Sequence, residues 1–290
     1  MTTLVRYWDA FWFRARSTKP LGLFRIALGL TILQKMLLLL PLADDFFSER
    51  GMFTLEMSRR VFPNRLCLFD FLPSDCAVVF FCATILIAVF FTAGLLTRVA
   101  TALLYVAMAS VEYRNPLLFD SGDRLVILLL FFGMFAPLGR SFSVDRLLKR
   151  DCSKEAEAGP IWAARLMQLQ ICAMYFWSAY AKLNQKSWSS GEAMYWISHN
   201  LQYVRGPMPQ LLVNTMEGVH LLTYGTLAFE MSFPFLVWFG PTRKYVLFAG
   251  LLFHLAILGS MDIPTFQLVV LSSYLLFLGD EEITAFGRTR

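Results

Sequence analysis

Long apolar runs separated by short polar segments divide this chain. An α-helix needs ~20 mostly apolar residues to cross a bilayer. The runs interpreted as spans are Leu21–Leu42, Ser74–Leu96, Val99–Val111, Leu125–Leu138, Trp162–Tyr180, Val219–Phe239, Tyr245–Leu258 and Thr265–Leu278. Several of them are short, so tilted or partly re-entrant helices are expected. The pattern predicts an all-α fold, a polytopic transmembrane helix bundle of about eight spans.

Amphipathic segments accompany these runs. Met1–Pro20 mixes arginines with aromatic residues and predicts a helix lying in the membrane interface. The segment 43–73 and the stretch Gly191–Val204 also combine aromatic and charged residues. Such elements either cover a cavity that opens outward or lie on the surface with no cavity beneath them.

The distribution of lysine and arginine predicts the orientation. With the N-terminus inside, the inner segments hold 14 Lys and Arg in 62 residues, and the outer segments hold 9 in 88. Positive charge concentrates on the cytoplasmic side of membrane proteins. We therefore expect an integral, multi-pass membrane protein with both termini in the cytoplasm, of the kind found in a bacterial inner membrane.

Composition supports a membrane protein and excludes several classes of function. The chain is 57% hydrophobic and 16% charged, with a net charge of +5, whereas soluble domains are about 45–50% apolar. No basic tract in a polar context favours nucleic acid. The three histidines lack metal-ligand spacing, so no metal site is expected. The five cysteines show no CxxC motif; Cys67 and Cys76 can pair, but an inert role is favoured.

Ionisable residues inside or at the ends of spans are functional candidates, because lipid disfavours them. The predicted topology brings Lys182, Arg114, Asn115, Asp123 and His254 toward the outer face. Structural explanations stay open for each. Asp123 can belong to a helix cap, and His254 can be a packed, hydrogen-bonded side chain. Arg114 can pair with Glu112 or meet headgroups.

Structural explanations also apply to Glu230, to two charged residues of the first span and to Lys182. Glu230, central in its span, can be neutral and bonded to a backbone carbonyl. Arg25 lies one turn into the first span and can reach back to the headgroups, whereas Lys35 is deeper and is expected to face protein. Lys182 follows a run of aromatic residues. A lysine that loses water beside apolar rings gives up its proton more readily and can act as a base, but it can also extend into the headgroups from a helix end.

Several motifs resemble one known family. They are Leu23–Gly29, Arg114-Asn115 with Gly122-Asp123, Pro137–Asp145, Tyr175-Phe176 with Lys182-Leu183-Asn184, Trp188 and Gly191, and Phe253-His254. In order and spacing they resemble the HTTM domain, the membrane domain of vitamin K-dependent gamma-carboxylase and its bacterial relatives. The resemblance covers nearly the whole chain and implies a single HTTM-like transmembrane domain over residues 1–290.

The resemblance implies chemistry on a reduced lipoquinone, a vitamin K-like hydroquinone, at the extracytoplasmic face. In the carboxylase a lysine deprotonates the hydroquinone. Oxygen then converts it to a strong base that removes a proton from glutamate, and carbon dioxide adds. Lys182 matches that lysine, Asn115 matches a family asparagine, and Glu230 stands where the carboxylase has an acid. We expect Lys182, His254 and Asn115 to be catalytic. Substrate or quinone binding is expected of Arg114, Asp123, Tyr175, Trp188 and Glu230.

This chain also departs from the carboxylase. Pro116 follows Asn115 where the carboxylase has histidine, and Ile257 stands where the carboxylase has the asparagine of a His-x-x-Asn motif. The large lumenal domain has no counterpart in this sequence. We therefore expect quinol-linked oxidation, epoxidation or a carboxylation-type modification, with a separate peptide or protein partner, rather than glutamate carboxylation as such. The alternative is a non-enzymatic membrane scaffold or binding subunit.

Overall fold

The computed structural model describes residues 3–65, 67–73, 75–149, 158–200, 204–206, 210–279 and 282–283. Helices dominate this part of the chain. They are α1 Thr3–Trp12, α2 Lys19–Leu39, α3 Ala43–Phe47, α4 Leu55–Val61, α5 Ala77–Ala93, α6 Thr97–Arg114, α7 Ser121–Gly133, α8 Val144–Lys149, α9 Trp162–Leu183, α10 Lys186–Ser189, α11 Ala193–Ser198, α12 Gln210–Val213, α13 Met216–Leu236, α14 Gly240–Ser260 and α15 Pro264–Tyr274. Short 3-10 turns include Leu40–Leu42, Leu68–Asp70, Pro116–Leu118 and Leu275–Phe277.

Each predicted span coincides with one of these helices, namely α2, α5, α6, α7, α9, α13, α14 and α15. Ser74, the first residue of the second predicted span, lies outside the described residues. Within the described residues, two helical segments, Lys19–Phe47 and Gly240–Ser260, are long and apolar enough to cross a membrane. Of the apolar 18-residue stretch in each segment, only 33% and 17%, respectively, is buried inside the protein. How many of the eight helices cross the bilayer stays a prediction.

The N-terminal amphipathic helix is shorter than predicted. Helix α1 ends at Trp12 and buries none of its side chains. A two-residue strand, β1 (Arg16–Ser17), then pairs antiparallel with β2 (Ala158–Gly159). Helix α2 begins at Lys19 with Pro20 in its first turn, where a missing N–H does no harm. The prediction of one helix over 1–20 is therefore wrong for residues 13–18.

The chain forms two compact units, one of residues 1–167 with 272–290 and one of residues 168–271. In the first unit, α2 and α5 pack extensively. Phe24, Leu28, Ile32 and Met36 recur every four residues on α2 and are almost fully buried, as one stripe of a helix requires. Apolar side chains elsewhere on this helix are more than half exposed: Leu30, Leu37 and Leu38. That exposure suits contact with lipid.

Arg25 does not reach back to the headgroups. Its side chain is completely buried. The guanidinium donates to the carbonyl oxygens of Leu138 at 2.6 Å and Ser141 at 3.3 Å, and also to that of Phe142. A buried guanidinium needs such acceptors, because an unpaired charge in a dry interior is costly. Arg25 thus fixes the segment 138–142, which holds most of the Pro137–Asp145 motif.

Asp145 ends this motif and caps helix α6. Its carboxylate oxygens accept from Leu96 N at 2.7 Å, Thr97 N at 2.8 Å and Thr97 Oγ1 at 2.6 Å. Burial alone raises the pKa of Asp145, but these hydrogen bonds outweigh it and hold the pKa of this carboxyl below its usual value. The carboxylate also complements the positive end of the helix dipole.

The second unit contains most of α9 and the helices α10 to α14. Thr215 caps α13, because its side chain accepts from Gly218 N at 3.3 Å. The predicted interfacial stretch Gly191–Val204 includes a helix only over α11, and residues 201–203 lie outside the described residues. Helix α11 packs on α13, where Met194 N donates to the buried Thr223 hydroxyl at 3.2 Å.

Candidate functional site

Lys182 and Glu230 form an ion pair inside the second unit. Lys182 lies in the last turn of α9, where a cation complements the helix dipole. Its Nζ atom donates to Oε1 of Glu230, which lies on α13. The Lys182 side chain is 23% exposed and that of Glu230 is 7% exposed. The expectation that Glu230 bonds a backbone carbonyl gives way to this pairing with a lysine.

Trp188 covers the lysine. The Lys182 Nζ atom lies 4.9 Å from the centroid of the Trp188 ring, within cation–π range. Gly191 lets the following turn approach α13. Its φ is +84°, and a Cβ atom there would come within 2.8 Å of His220 and Tyr224. The Trp188–Gly191 part of the family motif therefore sets an aromatic ring against the ammonium group.

One oxygen of Glu230 has no hydrogen-bond partner. Oε1 accepts from Lys182, whereas Oε2 is buried without a donor among the described residues. A buried acceptor without a donor costs about 1–3 kcal/mol. An O–H group on a ligand would relieve that cost. This is the polar atom in the unit that most directly indicates a missing partner.

Tyr175, His254 and Gln267 form a second polar chain in the same unit. The Tyr175 hydroxyl bonds His254 Nε2, and His254 Nδ1 bonds the Gln267 Oε1 atom. Because an amide oxygen only accepts, the Nδ1–H of His254 donates to Gln267. Its Nε2 atom therefore accepts a hydrogen bond from the Tyr175 hydroxyl. His254 is 1% exposed. Both ring nitrogens are used within the protein, so this histidine orients Tyr175.

Aromatic side chains surround the hydrogen-bonded chain of Tyr175, His254 and Gln267. The Tyr175 ring lies 4.3 Å from that of Phe233 and 5.7 Å from that of Phe229, centroid to centroid. Tyr175 and Lys182 are seven residues apart, which places them on one face of α9 about 10 Å apart along its axis. Lys182 is also within electrostatic range of His254. The two polar groups thus belong to one side of α9 and face α13.

Arg114 and Asn115 lie in the first unit, where both hold the segment 43–73. Arg114 is 1% exposed and donates to the carbonyl oxygens of Phe53 at 2.6 Å and Ser48 at 2.8 Å. Asn115 Nδ2 donates to Phe46 O at 3.0 Å. These contacts account for a stabilising role. A role for either residue in contacting a quinol stays a prediction.

Asp123 is also in the first unit and forms two kinds of contact. Its Oδ1 atom accepts from Lys35, which faces protein as predicted, and Oδ2 accepts from Asp120 N at 3.0 Å. Asp120 in turn caps α7 by accepting from Gly122 N at 2.7 Å. Phe119 lies over the lysine, with its ring centroid 4.4 Å from Nζ. Arg124 instead pairs with Glu112 at 3.0 Å.

The segment 43–73 of the first unit borders a cavity. Residues 61–65 line it together with side chains of α6 and α7, and its volume is about 720 Å³. Arg65, Glu112 and Arg124 contribute its charged groups, and Phe62, Tyr105 and Tyr113 are among its rings. The segment 43–73 therefore borders a cavity at its residues 61–65, and whether that cavity opens outward stays a prediction.

A comparison with family models decides the relationship of the chain. The model described as the HTTM domain matches residues 13–281. The chain belongs to the HTTM family. This membership is consistent with a membrane domain related to gamma-carboxylase, and together with the two long apolar helices it indicates a membrane protein. No solved structure matches the chain.

The HTTM motifs fall into both units. The motif from Tyr175 to Gly191 builds the Lys182 site, while the Pro137–Asp145 motif holds Arg25 and caps α6. Sequence reasoning missed Gln267 and the pairing of Lys35. Gln267 is a polar residue near the start of an apolar span, a signal available beforehand. Which aspartate Lys35 meets depends on helix packing.

The sequence analysis also expected no metal site and an inert role for the cysteines. Within the described ranges, no three His, Cys, Asp or Glu side chains are grouped so that they could hold a metal ion. Cys67 and Cys76 are free rather than paired. Burial raises the pKa of the Cys67 thiol, which lowers its reactivity. Cys152 lies outside the described residues.

Proposed function

We propose that this HTTM protein is an integral membrane enzyme that acts on a reduced lipoquinone, with Lys182 as the base. The observation that carries the proposal is the Lys182–Glu230 pair, in which Glu230 Oε2 is buried without a hydrogen-bond donor among the described residues. A hydroquinone hydroxyl is a donor of the required kind. Trp188 lies against Lys182, and Phe229 and Phe233 lie against Tyr175 on the same face of α9. These rings suit a flat apolar ring system.

The proton inventory of the pair fits base catalysis. If the Lys182 proton passes to Glu230, the ion pair becomes an amine and a carboxylic acid, and the pair carries no net charge in either form. The Lys182 amine can then accept a proton from a bound hydroxyl, and a general base of this kind contributes about 10²–10⁴-fold in rate. When bound, the hydroquinone would supply the hydroxyl groups and the reducing electrons.

Other residues would orient and shield the reacting groups. Tyr175, held by His254 and Gln267, lies on the same face of α9 as Lys182. Trp188 limits access of water to the ammonium group. We further propose that this site faces the extracytoplasmic side of a bacterial inner membrane, with both termini cytoplasmic, and that a peptide or protein partner supplies the group to be modified.

The test is oxidation and binding of vitamin K hydroquinone by the purified protein in detergent. We expect air oxidation above the protein-free rate for the wild type and for Lys186→Ala, a matched control four residues away on an exposed position. Lys182→Ala should lose at least about 100-fold in rate while keeping its helical circular dichroism. Anaerobic equilibrium dialysis should show weaker hydroquinone binding for Glu230→Leu, which lacks the free oxygen.

The outcomes separate the enzyme from the alternative function. Full activity of Lys182→Ala would end the proposal of Lys182 as base. A wild type without hydroquinone binding or oxidation, purified with a stoichiometric partner, would identify a membrane scaffold or binding subunit. The exposed Tyr195 and Trp196 side chains of α11, 41% and 61% exposed, favour that alternative as a contact surface.

A further inference from the structure

A second cavity of the first unit carries positive charge. It has a volume of about 590 Å³ and lies where the start of α6, the chain after α7 and helix α8 come together. Arg98, Arg140 and Lys149 line it, and all three are exposed. Among the described residues, Asp145 is the acidic residue in its lining. The cavity is distinct from the residues assigned to quinol chemistry.

Asp145 offsets only one of the three positive charges. Both of its oxygens are taken up by hydrogen bonds from Leu96 and Thr97 at the start of α6, although Lys149 is within electrostatic range of it. Arg140 donates one N–H to Ala158 O and keeps its remaining donors. Among the described lining residues, an excess of positive charge therefore remains. Because the carboxylate already occupies the helix N-terminus, an anion would bind the side chains instead.

Apolar surface lies beside these charges. Phe135, Pro137 and Leu138 line the cavity, with Val99 and Pro160. On α8, Leu147 and Leu148 are 76% and 69% exposed immediately before Lys149. A short helix that exposes two leucines next to a lysine has the chemistry of a segment resting in the headgroup region. Cations and exposed apolar side chains together suit an amphiphile better than a free anion.

We propose that this cavity binds the headgroup of an anionic phospholipid. Arg98 and Lys149 attract the phosphate, Arg140 shapes the wall, and Leu147 and Leu148 lie against the acyl chains. Basic pockets between helices bind anionic headgroups in this manner, with each cation contributing a separate increment of attraction. The proposal requires a membrane protein but is independent of the quinol reaction.

The experiment uses the full chain in detergent, titrated with phosphatidylglycerol, phosphatidylcholine or inorganic phosphate. Native mass spectrometry measures retained lipid, and thermal unfolding measures stabilisation. We expect tighter binding of phosphatidylglycerol than of phosphatidylcholine. The Arg98→Gln/Lys149→Gln variant should weaken phosphatidylglycerol binding by about tenfold or more. The matched control is Arg50→Gln/Lys244→Gln, which removes the same charge from exposed positions that do not line the cavity.

Three results would overturn the proposal. They are equal binding of both lipids, an unchanged lipid preference in the Arg98→Gln/Lys149→Gln variant, and equal stabilisation by inorganic phosphate alone. The last of these would assign the cavity to a free anion. If the double variant does not fold, the single variants Arg98→Gln and Lys149→Gln decide the question, each with an expected loss of several-fold in phosphatidylglycerol binding.

Discussion

Two lysine–carboxylate pairs, one in each unit, are built from the same chemical groups. In the first unit Lys35 pairs with Asp123 under the Phe119 ring, and in the second Lys182 pairs with Glu230 under the Trp188 ring. Both oxygens of Asp123 accept hydrogen bonds, from Lys35 and from Asp120 N. Glu230 Oε2 has no partner among the described residues. The two carboxylates therefore differ in what they still offer to a ligand.

This difference separates a structural pair from a candidate functional pair. Asp123 lies in the first turn of α7, where backbone N–H groups lack intrahelical partners and a carboxylate is readily satisfied. Glu230 lies in the interior of α13, where the backbone N–H groups are already used by the helix. A carboxylate at that position depends on side chains or a ligand. Lys182 supplies only one of the two contacts.

The largest expected effect is a difference between two amide substitutions. Asp123→Asn must point its NH₂ group at either Lys35 or Asp120 N, both of them donors, so we expect a loss of about 3–5 kcal/mol in the free energy of unfolding. Glu230→Gln can point its NH₂ group to the unpartnered side of the carboxylate. Its loss in the free energy of unfolding should therefore be about 1–3 kcal/mol smaller than that of Asp123→Asn.

Unfolding of the detergent-solubilised variants by titrated denaturant measures this difference. The double variants Asp123→Asn/Lys35→Met and Glu230→Gln/Lys182→Met remove the lysine in each unit and serve as controls for the lost ion pair. Equal losses for the two single variants, or a larger loss for Glu230→Gln, would contradict the distinction between the two carboxylates.

A smaller effect is expected from the cap that completes the first pair. Asp120→Ala removes the acceptor for Gly122 N and Asp123 N at the start of α7, and such a change costs about 0.5–2 kcal/mol. Hydroquinone oxidation should stay at the wild-type rate, because the cap belongs to the structural pair.

The control Asp262→Ala alters an exposed ion pair with Arg205 and should change stability by less than about 0.5 kcal/mol. A loss of turnover without a loss of stability in Asp120→Ala would show that this pair takes part in the chemistry.

The smallest expected effect is the pH dependence of stability that arises from Asp145. Both oxygens of this first-unit carboxylate accept hydrogen bonds. Its pKa is lower in the folded protein than the usual value of 3.8. Its contribution to stability is therefore complete above about pH 3.8 and is lost as the pH falls through the folded pKa. Melting temperatures of the wild type and Asp145→Asn should differ by a constant amount above pH 5 and converge below pH 3.8. A difference that grows on acidification would contradict the assignment.

Sequence reasoning located most of the helices but assigned some polar residues to the wrong surroundings. Eight apolar runs coincide with helices, since a run of that length leaves the backbone few alternatives in an apolar medium. Arg25 shows the limit. One turn into a span, it has the length to reach the headgroups, yet it is buried against the carbonyl oxygens of residues more than a hundred positions away. Position along a helix does not reveal the face on which such a side chain lies.

By itself, the sequence determined the helical class, the positions of the apolar helices and membership of the HTTM family, and it marked Lys182 as a candidate base. These properties follow from local composition and from motifs of fixed spacing. Only the tertiary structure decided which partner each buried charge meets, that Glu230 bonds Lys182 rather than a backbone carbonyl, and that His254 is occupied by Tyr175 and Gln267. The physical reason is that a hydrogen bond needs two groups within about 3 Å, and groups far apart in the chain reach that distance only through helix packing.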